Sequence, residues 1–291
     1  MIQRERIADN VFAFQSDVYA QVTAGVVAGP DWAVAIDTLA FPEETLAIRD
    51  FIEQELKVPV RYVINTHYHA DHAWGTCFFP GALVISHTLC RELLEKKGIP
   101  SLEEARTHNT SLRQTQIVLP HLTFSEGTLN LKVGKKNLAL LPLLGHTRDA
   151  IGVFVEEDRI LFSGDVFMPL PYIVDGDIDL MVDSLKMIGK MSLENIVQGH
   201  GDVVLRGEIE MAIEDHLQYL STIRKHVRRA SRRKYPRDLL ETLDIESCGK
   251  SRVLLGGLAE ELHQRNLISL YTQLYGEIPA ASETDDDEFD W

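Results

Sequence analysis

The sequence predicts an α/β (α+β) protein of four layers, in which two mixed β-sheets pack face to face and helices cover both outer faces. In the first half, short β-branched runs are followed by a helix, a strand and a second helix, and a similar order recurs in the second half. Two sheets can each bury an apolar face by packing against one another, and the helices of each half then cover the outer faces. The chain has 291 residues, 45% of them hydrophobic, which is enough for such a core.

Apolar runs bounded by turn residues predict the strands and helices of the first half. The predicted strands span 11–14, 23–28, 33–36, 61–65 and 83–86. A proline at 42 begins a stretch in which apolar residues recur at helical spacing up to 56, and a second helix is expected near 87–97. The segment 99–126 is irregular, and we expect a helical or looped insertion that lies beside the site as a lid.

The second half repeats the pattern and ends in helices. Predicted strands span 129–133, 138–143, 151–156, 159–163 and 195–198, with a helix over 178–191 and only helices from 208 to 276. We expect a catalytic core over 1–205 and a helical extension over 206–279 packed on the same domain. Residues 280–291 are strongly acidic, and we expect a disordered tail there.

Charge and composition restrict the partners. The formal net charge is −15, which argues against nucleic acid, since phosphate binding needs a positive surface. Eight Lys or Arg residues and no acid occupy 224–237, and the role of this basic run stays open. No apolar run is long enough to span a membrane, and the start of the chain lacks the apolar region of a signal peptide. Three cysteines without a paired spacing favour a reducing compartment, so we expect a cytoplasmic protein.

The strongest chemical signal is the run His67-Tyr68-His69-Ala70-Asp71-His72, directly after a predicted strand. Imidazole and carboxylate groups are ligands for zinc, iron or manganese. In a tight loop, the first two histidines can point to one position and Asp71 and His72 to a second position nearby. A polar loop with scattered histidines is the alternative, and the density of imidazoles disfavours it.

Three further motifs place a His or Asp just beyond a strand, where loops build sites. They are Gly145-His146-Thr147, Ser163-Gly164-Asp165 and Gly199-His200-Gly201. Each motif is weak alone. Together with the first run they supply seven ligands, the number and type that a site for two metal ions requires.

With these motifs in order, residues 10–205 resemble the metallo-β-lactamase-fold hydrolase superfamily, in particular its glyoxalase II-like and SoxH-like groups, which carry Asp at the bridging position. The resemblance implies that His67, His69 and His146 bind one metal and that Asp71, His72 and His200 bind the second. Asp165 would bridge the two metals. Asp37, at the end of a predicted strand, would support the ligand loops from behind, and a simple turn residue is its alternative interpretation.

The resemblance implies a hydrolase that uses two divalent ions, zinc before iron or manganese, on a small-molecule ester, thioester, lactone or amide. A hydroxide shared by the metals would attack the carbonyl carbon, and Asp71 would orient it or pass a proton to the leaving group. Tyr172 would reach the substrate pocket or pack at its rim. The loops 99–126 and 167–176 would set specificity. The helix over 208–229 would cover the core or contact a second subunit in a homodimer.

Three alternatives remain on the sequence alone. An iron-dependent oxidoreductase such as a persulfide dioxygenase would use a subset of the ligands, whereas the complete set favours hydrolysis. A phosphodiesterase or nuclease of the same fold is supported only by the basic run. A metal-stabilised binding protein without catalytic activity is the least favoured, because no ligand is missing.

Overall fold

The computed structural model describes residues 2–279 and confirms the four-layer architecture. Within that range, a seven-stranded and a six-stranded sheet lie face to face. One apolar core fills the space between the sheets and joins residues such as Ile36 and Ile64 of the first sheet to Val153 and Phe162 of the second. Two further cores lie between each sheet and its helices.

The first sheet follows chain order from edge to edge. Its strands are β1 (Ile2–Ala8), β2 (Val11–Ser16), β3 (Thr23–Ala28), β4 (Ala33–Ile36), β5 (Val60–Ile64), β6 (Leu83–His87) and β7 (Leu122–Phe124). The first four strands pair antiparallel, and β4 to β7 pair parallel. The carboxyl ends of β4 and β5 therefore lie side by side at one edge, where open α/β sheets bind ligands.

The second sheet is also mixed. Its strands are β8 (Leu129–Val133), β9 (Lys136–Pro142), β10 (Ile151–Val155), β11 (Ile160–Gly164), β12 (Asn195–Gln198) and β13 (Val204–Leu205). Only β11 and β12 pair parallel among these strands of the described chain. The Thr23 amide of the first sheet donates to the Gly199 carbonyl just after β12, at 2.9 Å. This bond ties the two sheets together beside the His200 loop.

Strand β1 has no counterpart in the sequence-based expectation. It pairs antiparallel with β2 at the edge of the first sheet, and its central residues are exposed. Arg4, Glu5 and Arg6 lie in the middle of the strand, so its sequence carries no apolar run. Charged edge strands of this kind discourage pairing with other chains, and they also hide the strand signal in the sequence.

Eight α-helices complete the described part of the chain. They are α1 (Pro42–Asp50), α2 (Ala70–Ala73), α3 (Thr88–Leu93), α4 (Ile99–His108), α5 (Ile178–Ile188), α6 (Arg206–Ala230), α7 (Pro236–Glu241) and α8 (Ala259–Tyr275). Helix α1 packs on the first sheet. Helices α5 to α8 share one apolar cluster with the outer face of the second sheet. The proposed division of the chain at 205 stays a prediction.

Other expectations concern the ends and the surface of the chain. The predicted acidic tail over 280–291 lies outside the described residues. Within 2–279, no helix combines the length and apolarity needed to cross a bilayer. Cys77, Cys90 and Cys248 are free thiols.

A buried histidine fixes helix α6 to the segment that follows β11. The His216 Nε2 atom donates a hydrogen bond to the Met168 carbonyl at 2.7 Å, and its ring stacks on Phe167 with centroids 4.6 Å apart. The Nδ1 atom then accepts from the Lys250 ammonium at 3.2 Å. Burial, aided by Lys250, lowers the pKa of His216 to about 3. His216 therefore stays neutral in the folded protein at moderately acidic pH.

This histidine makes stability depend on pH. Between its unfolded pKa of about 6.5 and its folded pKa of about 3, only the unfolded chain binds the proton, so stability is lost as pH falls. Below pH 6.5 this histidine lowers the free energy of unfolding by about 1.4 kcal/mol per pH unit, so its contribution to the loss of stability from pH 7 to pH 5 is about 2 kcal/mol. Urea unfolding of metal-free protein at both pH values should show this loss reduced in His216→Gln. Equal losses in His216→Gln and wild type would contradict the assignment.

Candidate metal centre

The loop after β5 carries four of the candidate ligands. His67 and His69 precede helix α2, and Asp71 and His72 lie within its single turn. Asn65, the first residue after the strand, holds the loop: its side-chain amide donates to the His72 carbonyl at 3.1 Å. A strand end and one helical turn thus place the four side chains in a small space, as the motif predicts.

The structure brings the other three candidates to the same place. His146 follows β9, Asp165 follows β11 and His200 follows β12. Seven side chains form two groups in which the potential ligand atoms lie within 4.8 Å of one another: His67, His69, His146 and Asp165 in one, and Asp71, His72 and His200 in the other. The structure divides the other six side chains as the sequence analysis expects, and it groups Asp165 with the first three histidines.

Asp165 lies between the two groups. Its Oδ2 atom is 3.3 Å from Nε2 of both His146 and His200, and its Oδ1 atom is 3.1 Å from Nε2 of His72. A side chain at position 199 would collide with it, because a Cβ there would be 1.9 Å from Asp165 Oδ1. The glycine before His200 is therefore required by the carboxylate.

Hydrogen bonds orient the imidazoles. In three of them the Nδ1 atom faces an oxygen that can only accept: Asp37 Oδ2 for His72 (2.9 Å), the Tyr172 carbonyl for His146 (2.7 Å) and the Ala20 carbonyl for His200 (2.9 Å). The proton must therefore be on Nδ1, since a ring nitrogen has to donate to such an oxygen. With Nδ1 held in this way, the Nε2 atom of each of the three rings points to Asp165 at the centre.

Asp37 orients two histidines, one directly and one through Thr66. It has a left-handed backbone (φ 58°), and its carboxylate accepts from the Thr66 amide and the Thr66 hydroxyl, each at 2.7 Å. Because that hydroxyl donates to Asp37, its oxygen accepts from Nδ1 of His67 at 3.0 Å. Burial raises the pKa of Asp37, and His72 opposes the shift. This geometry favours the supporting role over that of a plain turn residue.

Asp175 is a supporting residue that the sequence analysis missed. Its Oδ2 atom is 3.2 Å from Nε2 of His69 and accepts from the Tyr68 hydroxyl at 2.8 Å. The hydrogen bond from His69, together with the one from Tyr68, lowers the pKa of Asp175. His69 thus donates through Nε2 and presents Nδ1 to the centre, the reverse of the other histidines.

The donor set fits a bound cation. Nδ1 of His69 and Nε2 of His146 are 3.0 Å apart, and the orientations above place a lone pair on each. Two such lone pairs repel unless a positive charge lies beside them. Among the described residues, three buried atoms of the centre make no well-aligned hydrogen bond: His67 Nε2, His72 Nε2 and Asp165 Oδ1, of which the last two lie 3.1 Å apart. Buried polar atoms need partners, and a divalent ion would supply one to each.

The electrostatics favour metal binding near neutral pH. Burial lowers the pKa of His67 well below its usual value and that of His146 to about 4, so both rings are neutral. Burial alone would raise the pKa of Asp165, but three imidazoles, led by His72, hold it well below its usual range. Burial would also lower the pKa of His72 and His200, but nearby carboxylates, led by Asp165, raise both, that of His72 well above its usual value. A metal ion that binds these two rings therefore has to displace their protons, so binding should weaken as pH falls.

The centre opens into a cavity of about 510 Å³. Its lining includes Asp71 and Tyr172, as the sequence analysis expects, and Met168 and Asp175 of the 167–176 loop. The expected lid over 99–126 is largely wrong, because of that segment only Ser101 lines the cavity. Most of the segment packs elsewhere: Leu102 and Leu112, for example, are buried against Trp74. The cavity is bordered instead by residues from the C-terminal helical region, namely Leu255, Leu258, Leu262 and Arg265.

Comparison with known proteins agrees with the fold. A family model described as the metallo-beta-lactamase superfamily matches residues 19–234. The chain belongs to the metallo-beta-lactamase superfamily. A solved superfamily member, a metallo-beta-lactamase from Pontibacter korlensis, superposes with a TM-score of 0.61 at 20% identity, covering 74% of this chain and 98% of that one. At this identity the likeness shows the fold alone.

Three superfamily relatives are distant in sequence. Beta-lactamase-like protein 2 homolog of Caenorhabditis elegans is 27% identical over 145 residues, which is 50% of this chain and 43% of that protein. Acyl-coenzyme A thioesterase MBLAC2 of Homo sapiens is 24% identical over 223 residues, 67% of this chain and 79% of that protein. Thioesterase pkgB of Emericella nidulans is 21% identical over 168 residues, 56% and 41% respectively. The chain thus spans less than half the length of two of these relatives.

The supporting carboxylates yield a prediction about metal affinity. Asp37→Asn should lower the metal affinity of the group that contains His72, and Asp175→Asn should lower that of the group that contains His69, each by about 10- to 100-fold. The reason is that an amide cannot hold the ring nitrogen as a carboxylate does. Titration with Zn²⁺ against a competing chelator measures the affinities. Asp31→Asn, in the exposed turn after β3, is the matched control. Affinities equal to this control would contradict the supporting roles.

Proposed function

We propose that this protein is a metal-dependent thioesterase, which hydrolyses a small-molecule thioester and extends to related esters, lactones or amides. The observation that carries the proposal is the pair of ligand groups on either side of Asp165, at a cavity large enough for a small molecule. Two relatives that are named thioesterases support the choice of a thioester among these substrates. The free cysteines support a reducing, cytoplasmic location.

The proposed cofactor is a pair of divalent ions, with zinc preferred over iron or manganese. His67, His69 and His146 would hold one ion, Asp71, His72 and His200 the other, and Asp165 would lie between them. When bound, such ions lower the pKa of a water to about 7 and polarise a substrate carbonyl. His and Asp ligands suit all three metals, so the metal has to be measured.

The chain itself contributes orientation and proton transfer. Asp71 lines the cavity, and its Oδ2 atom is 3.5 Å from Nε2 of His200. In the proposed reaction a water adds to the carbonyl carbon and the C–S bond breaks. Asp71 takes a proton from that water as its oxygen bonds to carbon and gives the proton to the departing thiolate sulfur, which leaves a carboxylic acid and a thiol. Tyr172 holds His146 through its carbonyl and lines the cavity with its side chain, so it would contact the substrate.

The alternatives are less well supported. A persulfide dioxygenase that binds one iron would leave part of the seven-residue set unused. A nuclease is supported only by the basic run over 224–237, and none of the described cavity-lining residues comes from that run. The two cations that do line the cavity, Lys97 and Arg265, are paired with Asp175 and Glu261. A binding protein without catalytic activity would not need a carboxylate placed like Asp71.

Metal analysis of the purified protein, joined to a panel of thioester, ester, lactone, β-lactam, phosphodiester and persulfide substrates, tests the proposal. We expect two ions per chain and the highest activity on thioesters. Fewer than two ions at saturation would contradict the dinuclear assignment. Iron with activity only on persulfides would replace hydrolysis by the oxidoreductase alternative.

Asp165 is the most informative single position. Asp165→Asn should lower kcat/KM by at least about 100-fold, since even partners of metal ligands contribute 10- to 100-fold. Chelation of the wild type should abolish activity, and added Zn²⁺ should restore it. Asp183→Asn, exposed on α5, is the control and should behave as wild type. Full turnover by Asp165→Asn would refute the bridging role.

A further inference from the structure

Three leucines from the C-terminal helices form an apolar wall on the cavity of the metal centre. Leu255 belongs to the turn before α8, Leu258 immediately precedes that helix, and Leu262 lies one helical turn further on. Leu258 is 42% exposed and borders the cavity. An exposed leucine in a concave site gains stability when an apolar group covers it.

The backbone of the wall is unusual. Leu255 has a φ of 56° and a ψ of 37°, and Gly256 and Gly257 follow with positive φ as well. A bulky residue in the left-handed region is a backbone outlier, and such strain concentrates at ligand clamps. The side chain of Leu255 is nevertheless 2% exposed and belongs to the main apolar cluster. The turn therefore holds this leucine firmly at the cavity at the cost of backbone strain.

The charged residues of the same cavity already have partners. Lys97 lies 3.5 Å from Asp175, and Arg265 pairs with Glu261 on α8. Leucine side chains form neither ion pairs nor hydrogen bonds, so the part of a substrate that the wall can bind is apolar.

We propose that Leu258 and Leu262, on the wall that Leu255 anchors to the core, bind the acyl chain of the substrate and make the enzyme selective for thioesters of medium-length aliphatic acids over acetyl thioesters. This inference rests on the proposed function and names the substrate class of the same site. The carbonyl carbon would lie at the metal centre and the hydrocarbon chain along the wall. Each methylene buried there should strengthen binding about fourfold.

The test is a series of thioesters that share one thiol and carry acyl groups of two, four and eight carbons. For the wild type, kcat/KM should rise with chain length, mainly through KM. In Leu258→Ala and in Leu262→Ala, the octanoyl substrate should lose at least about tenfold more in kcat/KM than the acetyl substrate. Leu255 is left unchanged, because its buried side chain belongs to the main apolar cluster and its removal would leave a cavity there.

Leu274→Ala is the matched control, because Leu274 lies on the same helix, is 46% exposed and is not among the residues that line the cavity. It should keep the chain-length dependence of the wild type. If both wall variants also keep that dependence while the wild type hydrolyses thioesters, the wall does not bind the acyl chain, and the thioesterase proposal stands.

A binding measurement separates the two proposals. Calorimetry should show that octanoate, a hydrolysis product, binds the wild type more tightly than acetate and that Leu262→Ala reduces this difference. If no thioester is hydrolysed, the proposed function fails and the octanoate result alone decides the inference. If Leu258→Ala instead dissociates a dimer in sedimentation experiments, the wall is a subunit contact and the inference is wrong.

Discussion

The carboxylate of Asp165 occupies the point on which the rest of the centre depends. It lies within 3.3 Å of imidazoles from three different loops, and its buried position would be unfavourable without them. Those imidazoles are equally constrained, since each has its outer nitrogen bound to a fixed oxygen. Burial, charge and ring orientation are therefore satisfied together, and a change at any one position disturbs the others.

The hydrogen bonds that orient the histidine rings from outside the centre matter as much as the contacts with Asp165. Asp37 reaches two rings, directly and through Thr66, whereas Asp175 reaches His69 from the opposite part of the fold. Because His69 is held by its Nε2 atom, it turns a different nitrogen to the centre from its neighbours. The mixed use of the two ring nitrogens lets histidines that are close in sequence serve one compact site.

Much of this arrangement can be predicted from sequence, for a simple reason. The seven central side chains each follow a strand or sit in the turn after one, and strand ends converge at an edge. Asp175 has no such signal, because its pattern is that of a helix start and Asp177 does cap α5. The Asp177 amide donates to the Gly145 carbonyl beside His146, so Asp175 reaches the centre through contacts between distant parts of the chain, which no local pattern indicates. The leucines around 255–262 have the sequence pattern of ordinary core positions, because nothing in the local sequence indicates which helix borders the cavity.

The hydrogen bond between Thr23 and Gly199, which joins the two sheets, has a consequence for when the candidate centre forms. The ligand run at 67–72 is contiguous, but its partners come from the other sheet. The seven side chains therefore come together only when the two sheets have packed against each other, so a late step of folding completes the centre.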